Sequence, residues 1–206
     1  MKISIKKQIF GWSMYDFANT IFSALFITVY FPLFVVLKGG TAFHVGLVMS
    51  ISMLLAGLLV PTLGGVADIT RRKKLLLFMF TVLCCVFTFF TGFFGLLLVM
   101  VFGLLATFFF HASLDVYDAL LVNISTKRNI GFVSGLGTAV GYLGTVLSVA
   151  IAYIIGLFYG FESISGIQIV FMAAALLFFG FSLFTFFFVE EASKIKIKKQ
   201  HFIDAF

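Results

Sequence analysis

Apolar residues come in long runs separated by short polar interruptions, and this pattern covers most of the chain. About 20 apolar residues, rising about 1.5 Å each along a helix, cross a bilayer core. On that measure the first span runs from about 17 to 37 and the second from about 45 to 67, with Lys38 to His44 as the link. The apolar stretch from Leu75 to Asn123 is too long for one crossing, so a tight turn near Gly92 to Gly95 divides it into spans at about 75–92 and 97–122. A fifth span covers about 130–155 and a sixth about 167–189. The runs lack the alternation of barrel strands, and lipid-exposed backbone must be satisfied within each segment. The expected fold class is an all-α membrane protein with six transmembrane helices, a bundle over residues 1–190 followed by a basic cytoplasmic linker or tail over 191–206.

Composition strengthens this reading. Of 206 residues, 62% are hydrophobic and 11% charged, against about 25% charged in a soluble domain. Lys2, Lys6 and Lys7 precede an apolar run too long for a secretory signal and without a small-residue cleavage pattern, so the segment is expected to remain as an anchor. With the N-terminus inside, all but Lys38 of the 14 basic residues fall on inside segments. This bias places both termini in the cytoplasm. The net charge of +6 then reflects topology and attraction to anionic lipid, and no nucleic-acid partner is expected. Abundant Phe and the preference for Lys over Arg fit AT-rich coding, and the expected location is a bacterial inner membrane.

Charged side chains cost about 2.5–3.5 kcal/mol at the centre of a spanning helix, so each intramembrane acid needs a reason. Glu162 lies in an outer loop, and Glu190, Glu191 and Asp204 follow the sixth span. That leaves Asp16, Asp68, Asp115 and Asp118. Asp16 falls at the start of the first span, where a carboxylate gains from the helix dipole. It shares a helix face with Trp12 and Asn19. The plain reading is an interfacial anchor, with Trp12 and Tyr15 at headgroup depth and Asp16 as a cap.

His111, Asp115 and Asp118 are spaced i, i+4 and i+7 along the fourth span. Such a stripe should face a neighbouring helix or a water-filled cavity. A histidine one turn from a carboxylate suits ion coupling or substrate contact; the same trio also suits a polar clamp that fixes helix packing.

In the fifth span, Ser134, Gly137, Gly141, Gly144 and Ser148 make a face without bulky side chains, which lets helix backbones approach closely. Cys84 and Cys85 are adjacent, unsuited to an ordinary disulfide and lacking further ligands for a metal, and read as small packing residues. His44, His111 and His201 are scattered, and no nucleophile stands with a base, so neither an enzyme nor a cofactor is expected. No ring of charges or selectivity-filter signal supports a channel.

The link "GGVADITRRKK", residues 64–74, resembles the signature between the second and third helices of the major facilitator superfamily. Gly64, Asp68, Arg72 and Lys73 fit that signature, whereas Ile69 and Arg71 depart from it. Asp68 there can accept hydrogen bonds from a helix N-terminus or pair with an arginine, and would act as a latch if the contact forms in one conformation. "GWSMYDFANTIF" at 11–22, "VYDALLVNI" at 116–124 and "SGLGTAVGYLG" at 134–144 are similar to the branch that includes autophagy-related vacuolar amino-acid effluxers and bacterial members. The resemblance implies one six-helix half of a major facilitator fold. It also implies a transport-path role for Asp16 and Asn19, and a cavity beside Tyr117 and Asp118. Tyr142, within the third stretch, joins the pathway candidates.

Members of that superfamily usually carry two six-helix halves with the substrate site between them, and this chain carries the pattern of one. The expected function is therefore the N-terminal half of a secondary transporter for a small solute, with membrane lipid and a second six-helix half as partners. The alternative is a truncated or stand-alone membrane interaction protein without transport activity.

Overall fold

The computed structural model describes residues 3–70 and 72–191, apart from the side chains of 63 and 66–70. Six helices among these are long and apolar enough to cross a membrane, and the fold is all-α. The first crossing, Ile5–Leu37, has three parts: α1 (Ile5–Phe22), a π-helical stretch (Ser23–Tyr30) and α2 (Phe31–Leu37). The others are α3 (Ala42–Thr70), α4 (Lys73–Thr91), α5 (Leu96–Ile124), α6 (Ile130–Tyr159) and α7 (Ile164–Phe188). Gly160, at φ +87°, ends α6 in a conformation that side chains disfavour. Ser163 then caps α7 by accepting from the Gly166 N–H at 2.9 Å.

The first crossing corrects the sequence reading. Its helix begins at Ile5 and not near Phe17, because Lys6, Lys7 and Gln8 are good helix formers that need not lie in hydrocarbon. Asp16 consequently sits about three turns inside α1 and caps nothing. Trp12 and Tyr15 are 2% and 0% exposed. They belong to the bundle core and not to a headgroup belt.

The π-helical stretch has a local cause. Pro32 follows it, and a proline ring inside a helix collides with the carbonyl four residues earlier. Widening the preceding turns relieves that collision, and the Phe31 N–H bonds Phe26 O, five residues back. Phe31 is then fully buried with its ring over Gly103 of α5, where an added Cβ would lie 2.1 Å from Cε2 of that ring. Gly103→Ala is expected to cost about 1–3 kcal/mol through overpacking, read as a lower melting temperature of the purified protein in detergent.

The helices form two layers. In the front layer, α3 packs on α5, α5 on α1, and α1 on α6; behind them, α4 joins α5 to α7, and α7 packs on α1. The two outer members of the front layer are the least buried: 22% of the most apolar window of α3 and of α6 is covered, against 39–44% for the other crossings. The core between the layers is aromatic, with Phe22, Phe26, Phe34, Phe171 and Phe178 fully buried and in mutual ring contact. Cys84 and Cys85 are buried and free.

At one end, polar groups tie three helices together. The Ile3 N–H donates to Glu190 Oε1 at 2.9 Å, the Glu190 N–H to Gln8 Oε1 at 3.3 Å, and Lys74 Nζ to Val189 O at 2.7 Å. One turn further in, Thr185 Oγ1 donates to Gly11 O at 2.6 Å. The start of α1, the start of α4 and the end of α7 are thereby held as a unit.

Candidate functional site

The site is built around α1 at the level of Asp16. Asn19 Nδ2 donates to Asp16 Oδ1 at 3.1 Å, and Thr20 Oγ1 donates to the Asp16 carbonyl at 2.8 Å. Both pairs follow from helical spacing, which brings residues three and four apart together. Asn19 is buried, while Asp16 and Thr20 are partly covered.

The glycine face of α6 covers this part of α1. A Cβ on Gly137 would lie 2.5 Å from the Trp12 ring and 3.2 Å from Asp16 Oδ2; one on Gly141 would lie 2.9 Å from Thr20 Oγ1. On Gly144 it would lie 2.6 Å from the Phe17 carbonyl oxygen. The backbone of α6 thus comes within reach of the acidic side chain of α1, a separation that larger residues would forbid. Tyr142, on the same helix, points away and is 69% exposed.

On the other side of α1, α5 contributes Tyr117. Its ring stacks between Trp12 and Tyr15, with centroids 4.5 Å and 4.8 Å away. Trp12 Nε1 donates to the Tyr117 carbonyl at 3.3 Å, and the Tyr15 hydroxyl bonds Thr81 Oγ1 at 2.8 Å. These contacts fix α5 against α1. Among the described residues the Tyr117 hydroxyl finds no hydrogen-bond partner although it is buried, and the same holds for Ser13 Oγ, one turn before Asp16.

The predicted stripe on α5 divides. His111 is half-buried with its ring at the edge of Phe110, whereas Asp115 and Asp118 are exposed on the front of the bundle. No hydrogen bond joins any of the three side chains to another described residue. Asp115 instead lines a cleft of about 360 Å³ with Pro61, Gly64 and Gly65 of α3 and Lys73 of α4. Arg72 is exposed just before α4. The side chain of Asp68 lies outside the described residues, and so does its proposed latch. No group of three or more His, Cys, Asp or Glu able to hold a metal occurs among the described residues.

The structure therefore brings together Asp16 and Asn19 with the Gly137 and Gly141 floor, joins Tyr117 to the same part of α1 through Trp12 and Tyr15, and leaves His111, Asp115 and Asp118 without a contact to them. Sequence reasoning missed Thr20 and Ser13. Thr20 carried a readable signal, being one helical turn beyond Asp16; Ser13 carried none, since its burial depends on neighbouring helices.

Comparison with known proteins fits this architecture. The family model for the Major Facilitator Superfamily matches residues 17–202. The chain belongs to the major facilitator superfamily. Among curated relatives of this member, an uncharacterized MFS-type transporter, YxiO of Bacillus subtilis (strain 168), is 28% identical over 152 residues, 68% of this chain and 36% of the relative. An uncharacterized protein of Aquifex aeolicus (strain VF5) is 29% identical over 140 residues, 67% of this chain and 36% of the relative. The matched region is thus little more than a third of either relative's length. No solved structure matches. As a superfamily member with six apolar crossings, the protein is an integral, multi-pass membrane protein of a transporter family.

Proposed function

We propose that this chain is the N-terminal six-helix half of a secondary transporter that works by alternating access on a small polar solute, amino acids being the first class to try. The observation that carries the reading is the placement of Asp16 and Asn19 on α1 and of the exposed Asp115 and Asp118 on α5, the two helices that lie between the least covered crossings, α3 and α6. Ionisable groups inside a membrane are retained where they meet water, a partner charge or cargo. A second six-helix half seated against α3 and α6 would close that face into a central cavity, with both termini of this half in the cytoplasm.

The test has two stages. DNA downstream of the coding sequence is expected to encode six further crossings. Co-reconstitution of both halves in proteoliposomes should then give amino-acid counterflow that neither half gives alone. Unrelated downstream sequence, together with absence of counterflow from the chain paired with a relative's second half, would sink the proposal in favour of a non-transporting membrane protein. Proton coupling through His111 and Asp115 is a narrower part of the reading: Asp115→Asn should abolish uptake driven by a pH gradient, and unchanged uptake would exclude it.

A further inference from the structure

We infer that the outer face of α4 and α7 holds one phospholipid whose headgroup carries a phosphate and a primary ammonium, with an acyl chain lying between the two helices. The site is on the back layer, away from α3 and α6, and does not depend on the transporter reading. Two hollows carry it. The first is a cup of about 520 Å³ where α4 begins, lined by Arg72, Lys74 and Leu75 on one side and by Glu190 and Glu191 on the other. The second is a groove, also about 520 Å³, between Phe78, Val82, Val86 and Phe90 of α4 and Ala175 and Leu176 of α7. Leu75, Phe78, Val82 and Val86 recur at three or four residues, so they make one face of α4 that leads from the cup into the groove. Along it Leu75, Phe78 and Val86 are exposed, and the Phe78 ring rests on Phe186 of α7, centroids 5.2 Å apart, as an apolar bed between the two hollows.

Charge in the cup selects the headgroup. Arg72 is exposed, and no hydrogen bond joins its side chain to another described residue; a planar guanidinium can hold two phosphate oxygens at once. Lys74 is committed to the bundle, with Nζ on Val189 O at 2.7 Å. Glu190 Oε1 accepts from the Ile3 N–H and Glu191 Oε1 from the Lys74 N–H, so among the described residues each carboxylate keeps its second oxygen without a donor. A headgroup with a phosphate alone would set its negative charge against both glutamates. A trimethylammonium would match their charge and donate no hydrogen bond, whereas a primary ammonium matches the charge and brings N–H donors. The groove selects the rest of the molecule. Its lining is apolar, a hollow left empty against the bilayer would forfeit dispersion contacts, and hydrocarbon is what a bilayer offers to fill it. From Leu75 to Val86 the helix rises about 16 Å, close to the hydrocarbon depth of one leaflet, about 15 Å, so one acyl chain reaches from the cup through the groove.

Native mass spectrometry of the full 206-residue chain, released from micelles holding equal amounts of dioleoyl phosphatidylethanolamine, phosphatidylcholine and phosphatidylglycerol, reads bound lipid and oligomeric state together. One phosphatidylethanolamine retained per monomer, about fivefold or more above either other lipid, is expected from the charge-assisted contacts of its headgroup. Arg72→Gln, at an exposed position, should cut that retention about fivefold. Glu191→Gln keeps an acceptor for the Lys74 N–H and should hold the ethanolamine and choline lipids equally. Leu176→Trp, at a position 65% exposed, fills the groove and should lower retention of phosphatidylethanolamine while leaving the melting temperature in detergent unchanged. Equal retention of the three lipids by the wild-type chain overturns the inference whatever the variants do, and so does unchanged retention in Arg72→Gln or in Leu176→Trp. Preference for phosphatidylglycerol would overturn it in favour of plain attraction to anionic lipid, and a lipid-free dimer in favour of a second copy seated on this face.

Discussion

Gly144→Ala should lower the stability of the bundle by about 1–3 kcal/mol, the range for forcing extra atoms into a packed interior, while Gly135→Ala, two and a half turns away on the same helix, should raise it by up to about 1 kcal/mol. The two substitutions add the same methyl group and gain the same helix propensity. At Gly144 the new Cβ would stand 2.6 Å from the Phe17 carbonyl oxygen and 3.3 Å from Ile21 Cγ1, whereas at Gly135 nothing lies within 4 Å. A backbone oxygen inside α1 cannot rotate aside, so α6 as a whole must move outward. That movement also stretches the Ser148 hydroxyl from Ile21 O, already 3.5 Å away, and opens the floor beneath Asp16. Gly144→Leu should separate the helices enough to abolish a monodisperse product. Melting in detergent followed by size-exclusion chromatography checks all three; equal effects at 135 and 144 would mean that α6 does not rest on α1.

Asp16→Asn should reduce solute counterflow by the assembled transporter at least tenfold, with the folded bundle retained. The size follows from hydrogen bonds to charged groups, worth about 1.5–3 kcal/mol, when 1.4 kcal/mol is a factor of ten. Retention of the fold is expected because asparagine keeps the shape of the side chain beside Gly137 and an acceptor for Asn19. Asn19→Ala should act in the same direction but less, since it frees Asp16 Oδ1 from its 3.1 Å partner without removing charge. Initial rates in proteoliposomes, at solute concentrations above and below half-saturation, separate weakened binding from slowed turnover. Counterflow at the wild-type rate in Asp16→Asn would remove Asp16 from the transport path.

Much of the architecture was legible along the chain, since a helix that crosses a bilayer must satisfy its backbone by itself and be apolar for about 20 residues. Six crossings and an all-α fold follow from those local demands. The glycine spacing of 137, 141 and 144 was readable for a related reason: a helix has a fixed period, so a smooth face shows as a repeat. The π-helical stretch before Pro32 was not foreseen from the sequence and came only from the structure. The Asp16 error came from treating the first apolar residue as the first helical one; α1 starts at Ile5, and the basic residues before the hydrocarbon are part of it.

Sequence by itself determined the number and type of the crossings, the acidic stripe on α5 and the small-residue face of α6, because each is a periodic property of one segment. Only the tertiary structure decided that Asp16 meets the glycine face of α6, that Trp12 and Tyr15 enclose the Tyr117 ring, that Asp115 turns to a cleft with α3, and that α3 and α6 are left least covered. Those pairings depend on which helix faces which, and residues a hundred positions apart become neighbours only when side chains of matching shape, ring against ring and glycine against backbone, bring α1, α5 and α6 together.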